Sequence, residues 1–256
     1  MSGTIPLFHV AIPARAHSTR LPGKALKPLR GKPMIQWVYE KASAAGAADV
    51  LIATDDSAIV SAARAFGAEA RLTGRHHASG TDRIAEFAAL ERWAQEDIVV
   101  NVQGDEPLIP PAIIAQVAAL LESHPEASLA TLATAIESQT ELLDPNVVKV
   151  VCDERGRALY FSRAPVPWQR DAASASPGGR RPFTAARRHV GIYAYRVAAL
   201  QRLASLEPTA LEAAEKLEQL RALGHGLIIQ VADCRERPGP DVNTAEDLER
   251  VEALLG

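Results

Sequence analysis

Short apolar runs alternate with amphipathic stretches through the first half of the chain. Residues 8–12 read as a buried strand that opens into a loop rich in Arg, Pro and Gly. A helix is predicted from about Pro33 to Gly46, because proline suits a first helical turn. Further strands are predicted over 50–53, 68–72 and 98–102. Helices fall between and after them: over 57–66 with Gly67 as the stop, from a cap at Thr81 to about Ala94, and over 111–123. Strands alternating with helices imply crossover connections and an α/β fold, its mostly parallel sheet covered by helices on both faces.

The rhythm changes after Ser128. Strands are predicted over 129–135, 147–152 and 158–161, the last two pairing through a turn at 153–157 that contains Gly156. Residues 171–181 are small, polar and rich in Gly and Pro, so they read as a mobile loop. A strand over 189–195, a helix over 211–223, a strand over 227–232 and a helix over 245–255 complete the chain. In that last helix Ala245, Leu248, Val251 and Leu255 share a face, and Thr244 and Asp247 stand at capping spacing. In the 211–223 helix, Glu212, Glu215 and Glu218 read as the solvated side. Trp37 and Trp93 read as packing residues, and Tyr160, Tyr193 and Tyr195 as core or interface aromatics. With no internal repeat, residues 1–256 are expected to form one domain, in which about 128–200 make a smaller β-containing insertion.

Composition narrows the classes. A chain of 256 residues that is 47% hydrophobic can bury a substantial core. The formal charge of −3 comes from intermixed acids and bases, which argues against nucleic-acid or membrane-surface partners. Two cysteines, Cys152 and Cys234, make neither a disulfide framework nor a zinc site and read as buried thiols of a reduced cytoplasm. The N-terminal residues lack a signal-peptide pattern, and no stretch has membrane-spanning length.

The chemistry gathers in loops that follow strands, where open parallel sheets bind ligands. The loop from Pro13 to Lys24 places Arg15, Arg20 and Lys24 beside Ser18, Thr19 and Gly23. Several cationic donors with close backbone approach are what a triphosphate needs, although the P-loop spacing is absent. A solvated basic loop is the plainer alternative. In V-N-V-Q-G-D-E-P, residues 100–107, Asp105 leaves a buried strand and could hold Mg²⁺ against phosphate oxygens, or could simply form a Gly-Asp turn. The segment H-H-A-S-G-T-D-R, residues 76–83, contains two adjacent histidines whose side chains diverge, with no third ligand evident. It reads better as a loop that sets Ser79, Gly80 and Thr81 near a base or ribose. Arg163 and Arg188 flank strands and are candidate donors to a carboxylate.

Eight strings lie in register along nearly the whole chain: P-A-R-x-x-S-T-R-L-P-G-K, G-K-P-M-I, S-G-T-D-R, V-N-V-Q-G-D-E-P, N-V-V-K-V-V, L-Y-F-S-R-A, R-H-V-G-I-Y-A-Y and L-E-Q-L-R. Together they resemble the 3-deoxy-manno-octulosonate (Kdo) cytidylyltransferases, also called CMP-Kdo synthetases. The resemblance implies a Rossmann-like nucleotidyltransferase fold, a homodimer formed through the second half, a cytoplasmic location and Mg²⁺ dependence. It also implies transfer of CMP from CTP to Kdo for lipopolysaccharide biosynthesis, with 8-amino-Kdo or sialic acid as alternative acceptors. Carried over residue by residue, Arg15, Ser18, Arg20 and Lys24 would bind CTP phosphates, and Ser79 and Gly80 the nucleoside. Gln103 would lie against nucleotide or sugar, and Asp105 would bind the metal; Arg15, Lys24 and Asp105 would be the catalytic set. Arg163, His189, Tyr193, Glu218 and Gln219 would serve the sugar.

One position departs from the family. Its members commonly read G-V-D-T-P-E-D-L near the C-terminus, with that aspartate as a second metal ligand. Here residues 240–248 read P-D-V-N-T-A-E-D-L, so Asn243 stands where the aspartate is expected. An amide oxygen is a legitimate ligand for a hard cation. In an extended segment Asp241 would point to the same side and restore the missing charge.

Overall fold

The first strand, β1 (Phe8–Ala14), is buried at every position, as an apolar run covered on both faces should be. In this computed structural model, residues 6–15, 20–75, 77, 79–168 and 185–255 are described. Ser18, His76 and the loop expected at 171–181 lie outside the described residues. After β1 come a single 3-10 turn (Lys24–Leu26), a short ribbon of β2 (Pro28–Leu29) with β3 (Lys32–Pro33), and α1 (Met34–Ser43). Then follow β4 (Asp49–Thr54), α2 (Ser57–Ala65), β5 (Glu69–Leu72), α3 (Gly80–Leu90), β6 (Ile98–Asn101) and α4 (Pro111–Glu122). The second half contains β7 (Leu129–Ala135), α5 (Gln139–Leu143), β8 (Lys149–Cys152), β9 (Ala158–Ser162), β10 (Arg187–Arg196) and α6 (Val197–Ser205). It closes with α7 (Ala210–Glu215), α8 (Gln219–Gly224), β11 (Ile229–Asp233) and α9 (Ala245–Leu254).

The main sheet runs β11-β7-β10-β6-β1-β4-β5. All of these strands share one direction except β10, which is antiparallel to both β6 and β7. The stretch expected as an insertion therefore places β7 and β10 inside the main sheet, and the β8–β9 hairpin branches from β10. Alternation along β1 explains the two covered faces. Phe8, Val10 and Ile12 pack with Ile35 and Val38 of α1, Ile59 of α2 and Ile113 of α4. Ala11 faces the opposite layer, which holds Ile84 and Phe87 of α3, Leu200 of α6 and Leu220 of α8. Each such fully buried apolar side chain contributes about 1.5–3 kcal/mol.

Three local expectations are corrected. The cap of α3 is Ser79, not Thr81: Ser79 Oγ accepts the Asp82 amide while Asp82 reaches back to the Ser79 amide. The helix expected over 211–223 is broken into α7 and α8 by Lys216, which adopts a left-handed conformation (φ 54°). Its glutamates are consequently not a solvated face. Glu212 pairs with Arg221 at 2.6 Å, Glu215 accepts from Ser162 Oγ at 2.6 Å, and Glu218 turns inward. Helix α6, which was not expected, starts directly off β10 with no Gly, Pro or Asn to mark the boundary. Its first amides are satisfied by the carbonyls of Asp97 and Gln95.

Candidate active site

The loops after β1 and β6 are brought together by strand register. β1 and β6 run parallel with Ala11 beside Asn101, so both chains leave the sheet at the same edge. Contact between them requires glycine: a Cβ on Gly104 would sit 2.8 Å from the Pro13 carbonyl oxygen. A cavity of about 410 Å³ opens between these loops, and Arg15, Arg20, Lys24, Gln103, Asp105 and Asn243 line it. Arg15 is exposed and forms no ion pair or hydrogen bond among the described residues. Three cations around one carboxylate give the cavity a surplus of positive charge suited to a polyanion.

The C-terminal segment closes this cavity. Val242 is fully buried beside Leu21, Met34 and Val251, and its amide donates to the Asp105 carbonyl at 2.9 Å. Anchoring Val242 turns its two neighbours the other way, and Asn243 Nδ2 donates to Asp241 Oδ2. Asn243 Oδ1 is thereby aimed at the cations: it accepts from Arg20 Nη2 at 2.8 Å and lies 3.5 Å from Lys24 Nζ. Lys24 Nζ also donates to Asp105 Oδ2 at 2.7 Å and to the Val242 carbonyl at 2.9 Å. An aspartate at 243 would put two carboxylates in contact at 241 and 243; the amide avoids that repulsion. Asn243 enters the turn before α9 through its backbone N–H alone, which donates to the Asp247 side chain at Oδ2. Behind Asp105, Glu106 is half-buried, and its oxygen Oε2 is buried with no partner among the described residues. Burial first, then the charges of Asp105 and Asp241, push its pKa up to about 8, so it is neutral at pH 7.

A second, smaller cavity of about 70 Å³ adjoins the first through Gln103, which lines both. Its wall includes Thr81, Asn101, Tyr193, Tyr195, Glu218 and Gln219. Glu218 Oε1 accepts from Ser79 Oγ and Glu218 Oε2 from Thr81 Oγ1, each at 2.9 Å. Burial raises the Glu218 pKa, opposed by these two hydrogen bonds. The Tyr193 hydroxyl is buried beside Thr131 but makes no well-formed hydrogen bond among the described residues. It stands beyond an irregularity in β10 between Val190 and Tyr193, where Thr131 Oγ1 lies 2.7 Å from the Ile192 carbonyl. His189 Nε2 is 3.0 Å from the same Thr131 oxygen, and burial holds the ring's pKa down to about 3, so it is neutral.

Other expected site residues lie apart from these cavities. Arg163 is tied to backbone: its Nε donates to the Glu215 carbonyl at 2.8 Å and its Nη1 to the Pro145 carbonyl at 2.9 Å. The Arg163 carbonyl in turn accepts from the fully buried Lys149 Nζ. Arg188 pairs with Glu141 at 3.3 Å. Two wall residues escaped the sequence reading. Tyr195 was read as core, yet its hydroxyl meets Thr81 and Asn101. Asn101 accepts from Gln103 Nε2 at 3.1 Å. A signal for Asn101 existed: two polar residues two apart in an apolar strand share one face.

Comparison with known proteins bears on this geometry. Residues 9–230 match the family model described as cytidylyltransferase. A protein of Pseudomonas fluorescens named 3-deoxy-manno-octulosonate cytidylyltransferase is 58% identical over 97% of this chain and 98% of its own length. Proteins of the same name from Thioalkalivibrio sulfidiphilus and Halorhodospira halophila are 55% and 54% identical, covering 97% and 98% of this chain and 98% and 97% of their own. A solved structure of CMP:2-keto-3-deoxy-manno-octonic acid synthetase complexed with CTP superposes with a TM-score of 0.88 at 43% identity, covering 98% of both chains. Likeness of this extent takes in both loops, the small cavity and the C-terminal segment, and the chain belongs to the 3-deoxy-manno-octulosonate cytidylyltransferase family.

Proposed function

We propose that this enzyme transfers CMP from CTP to the anomeric hydroxyl of Kdo, giving CMP-Kdo and pyrophosphate for lipopolysaccharide biosynthesis. The observation that carries this reading is the shared wall at Gln103, with a cationic cavity on one side and a small hydroxyl-lined cavity on the other. The sugar hydroxyl oxygen attacks the α-phosphorus, the bond from the α-phosphorus to the oxygen bridging it to the β-phosphate breaks to release pyrophosphate, and the hydroxyl proton passes to water. Positioning and charge neutralisation supply most of the catalysis. Arg15, Arg20 and Lys24, with Ser18, bind the phosphates, and Arg15 and Lys24 offset charge on the leaving pyrophosphate. Ser79 and Gly80 contact the nucleoside. Gln103, Tyr193, Glu218 and Gln219 read the sugar hydroxyls, with His189 behind Tyr193. Arg163 is the family's donor to the sugar carboxylate, and because its Nε and Nη1 are held on backbone carbonyls outside both cavities, that contact requires the carboxylate to extend beyond the small cavity. The 128–200 segment serves sugar binding and a homodimer. Leu159 and Trp168, 62% and 80% exposed, leave apolar area there for a second copy to cover. Two unpaired cysteines accord with a cytoplasmic enzyme, and no helix among the described residues is long and apolar enough to cross a membrane.

Asp105, Asn243 and Asp241 are the residues that would hold Mg²⁺. Asp105 Oδ2, Asn243 Oδ1 and the Val242 carbonyl already converge on one cation, Lys24 Nζ, so the donor set fits a hard ion. Bound there, Mg²⁺ would offset phosphate charge and make the attacking hydroxyl more acidic. Calorimetric titration of Mg²⁺ should show weaker binding in Asn243→Ala and Asp241→Asn, and binding at least as tight in Asn243→Asp. An unchanged Asn243→Ala would remove that residue from the ligand set.

A substrate panel tests the function itself. Pyrophosphate release should be fast with CTP and Kdo and slow with ATP, GTP or UTP. Equal turnover with ATP would reject the assignment, and preference for 8-amino-Kdo or sialic acid would reassign the acceptor.

A further inference from the structure

The cap of α3 falls to Ser79, which leaves the Thr81 hydroxyl free of helix duty within the first turn. Thr81 is only 4% exposed, and its hydroxyl is spent across the fold, on Glu218 Oε2 at 2.9 Å. Ser79 Oγ donates to the other oxygen of the same carboxylate. The turn that opens α3 thus holds both oxygens of Glu218. Thr81 and Asn101 also meet the Tyr195 hydroxyl, and Asn101 accepts from Gln103 Nε2. A carboxylate turned into the protein needs donors, and these two hydroxyls supply them. The same wall, however, carries the buried Tyr193 hydroxyl, which lies beside Thr131 without a well-formed hydrogen bond among the described residues, so it retains capacity for a ligand.

We propose that Thr81 is a positioning residue that couples the nucleoside loop to the sugar cavity through Glu218. The inference rests on the function proposed above. A serine hydroxyl has one proton. If Ser79 donates to the nucleoside, it releases Glu218 Oε1, and Thr81 remains as the hydroxyl that orients the carboxylate. Glu218 oxygens have further lone pairs, so one can hold Thr81 and accept a sugar hydroxyl at once. The Thr81 hydroxyl therefore matters most when nucleotide is bound. Coupling of this kind is reciprocal: nucleotide changes sugar affinity by the factor with which sugar changes nucleotide affinity.

The test is calorimetric binding of Kdo with and without α,β-methylene-CTP, which cannot release pyrophosphate. Thr81→Val should weaken Kdo binding about tenfold or more with nucleotide present, the effect of losing one hydrogen bond to a charged group. Without nucleotide, Kdo binding should fall less than about threefold, as should binding of the nucleotide analogue alone. Thr81→Ser, which keeps the hydroxyl, should restore wild-type coupling, and Thr81→Ala should repeat the valine result if valine packs poorly. Equal weakening of Kdo binding in both states, or none in either, would overturn the coupling while leaving the function intact. A wild-type enzyme that binds no Kdo in either state would overturn the function and the coupling together.

Discussion

Asp105→Asn is expected to lower turnover by about two to three decades, the scale seen when one preorganised electrostatic contact is removed from an active site, with the melting temperature unchanged. Asp105 Oδ2 is the carboxylate partner of Lys24 Nζ at 2.7 Å, and the other acceptors on that ammonium, Asn243 Oδ1 and the Val242 carbonyl, are neutral. The substitution is nearly isosteric, so shape survives while the one negative charge facing Arg15, Arg20 and Lys24 is lost. Under the proposed function it also removes the carboxylate that would face the metal. Steady-state kinetics at limiting Mg²⁺, beside a thermal melt, decide the matter. Wild-type turnover in Asp105→Asn would reduce Asp105 to a turn residue.

Asp55→Ala should be the costliest change for stability. Arg83 is 1% exposed at its side chain, and its Nη2 donates to Asp55 Oδ2 at 2.8 Å. Its Nη1 reaches Thr73 Oγ1 and the Gly74 carbonyl, while its Nε has no partner among the described residues. One guanidinium therefore ties the carboxyl ends of β4 and β5 to α3. Removing the carboxylate strands a buried charge, which costs about 3–5 kcal/mol. For a chain of this size that lowers the melting temperature by roughly 6–20 °C. Asp49→Ala provides the contrast. Asp49 pairs with His9 at 2.9 Å, but its side chain is 52% exposed, and such pairs are worth about 1 kcal/mol or less. Equal losses in the two variants would show that Arg83 is satisfied without Asp55.

Much of this protein was decided within short windows of sequence. The apolar runs of β1 and β6 and the apolar faces of α1, α2 and α4 follow from periodicity, because burial selects side chains at spacings of two or of about 3.6. The hairpin turn at Gly156 and the Thr244–Asp247 capping box are local chemistry too, and both form as expected. The basic loop and Asp105 were legible because charges leaving buried strands are costly without a partner or ligand. Tertiary structure alone decided how the polar groups pair. Glu218 finds Ser79 and Thr81 at separations of 139 and 137 residues, and Asn243 finds Arg20 at 223. Nothing within a helical turn of Glu218 distinguishes it from Glu212, which pairs nearby with Arg221. The break at Lys216 and the tether on Arg163 likewise depend on the β8–β9 hairpin, since Ser162 and the Arg163 amide bind the Glu215 carboxylate where α7 ends. Hydrophobic patterning is additive and local, so it survives in the sequence. A buried hydrogen bond depends on which distant group arrives at the right place, and that is set only when the sheet and its helices have packed.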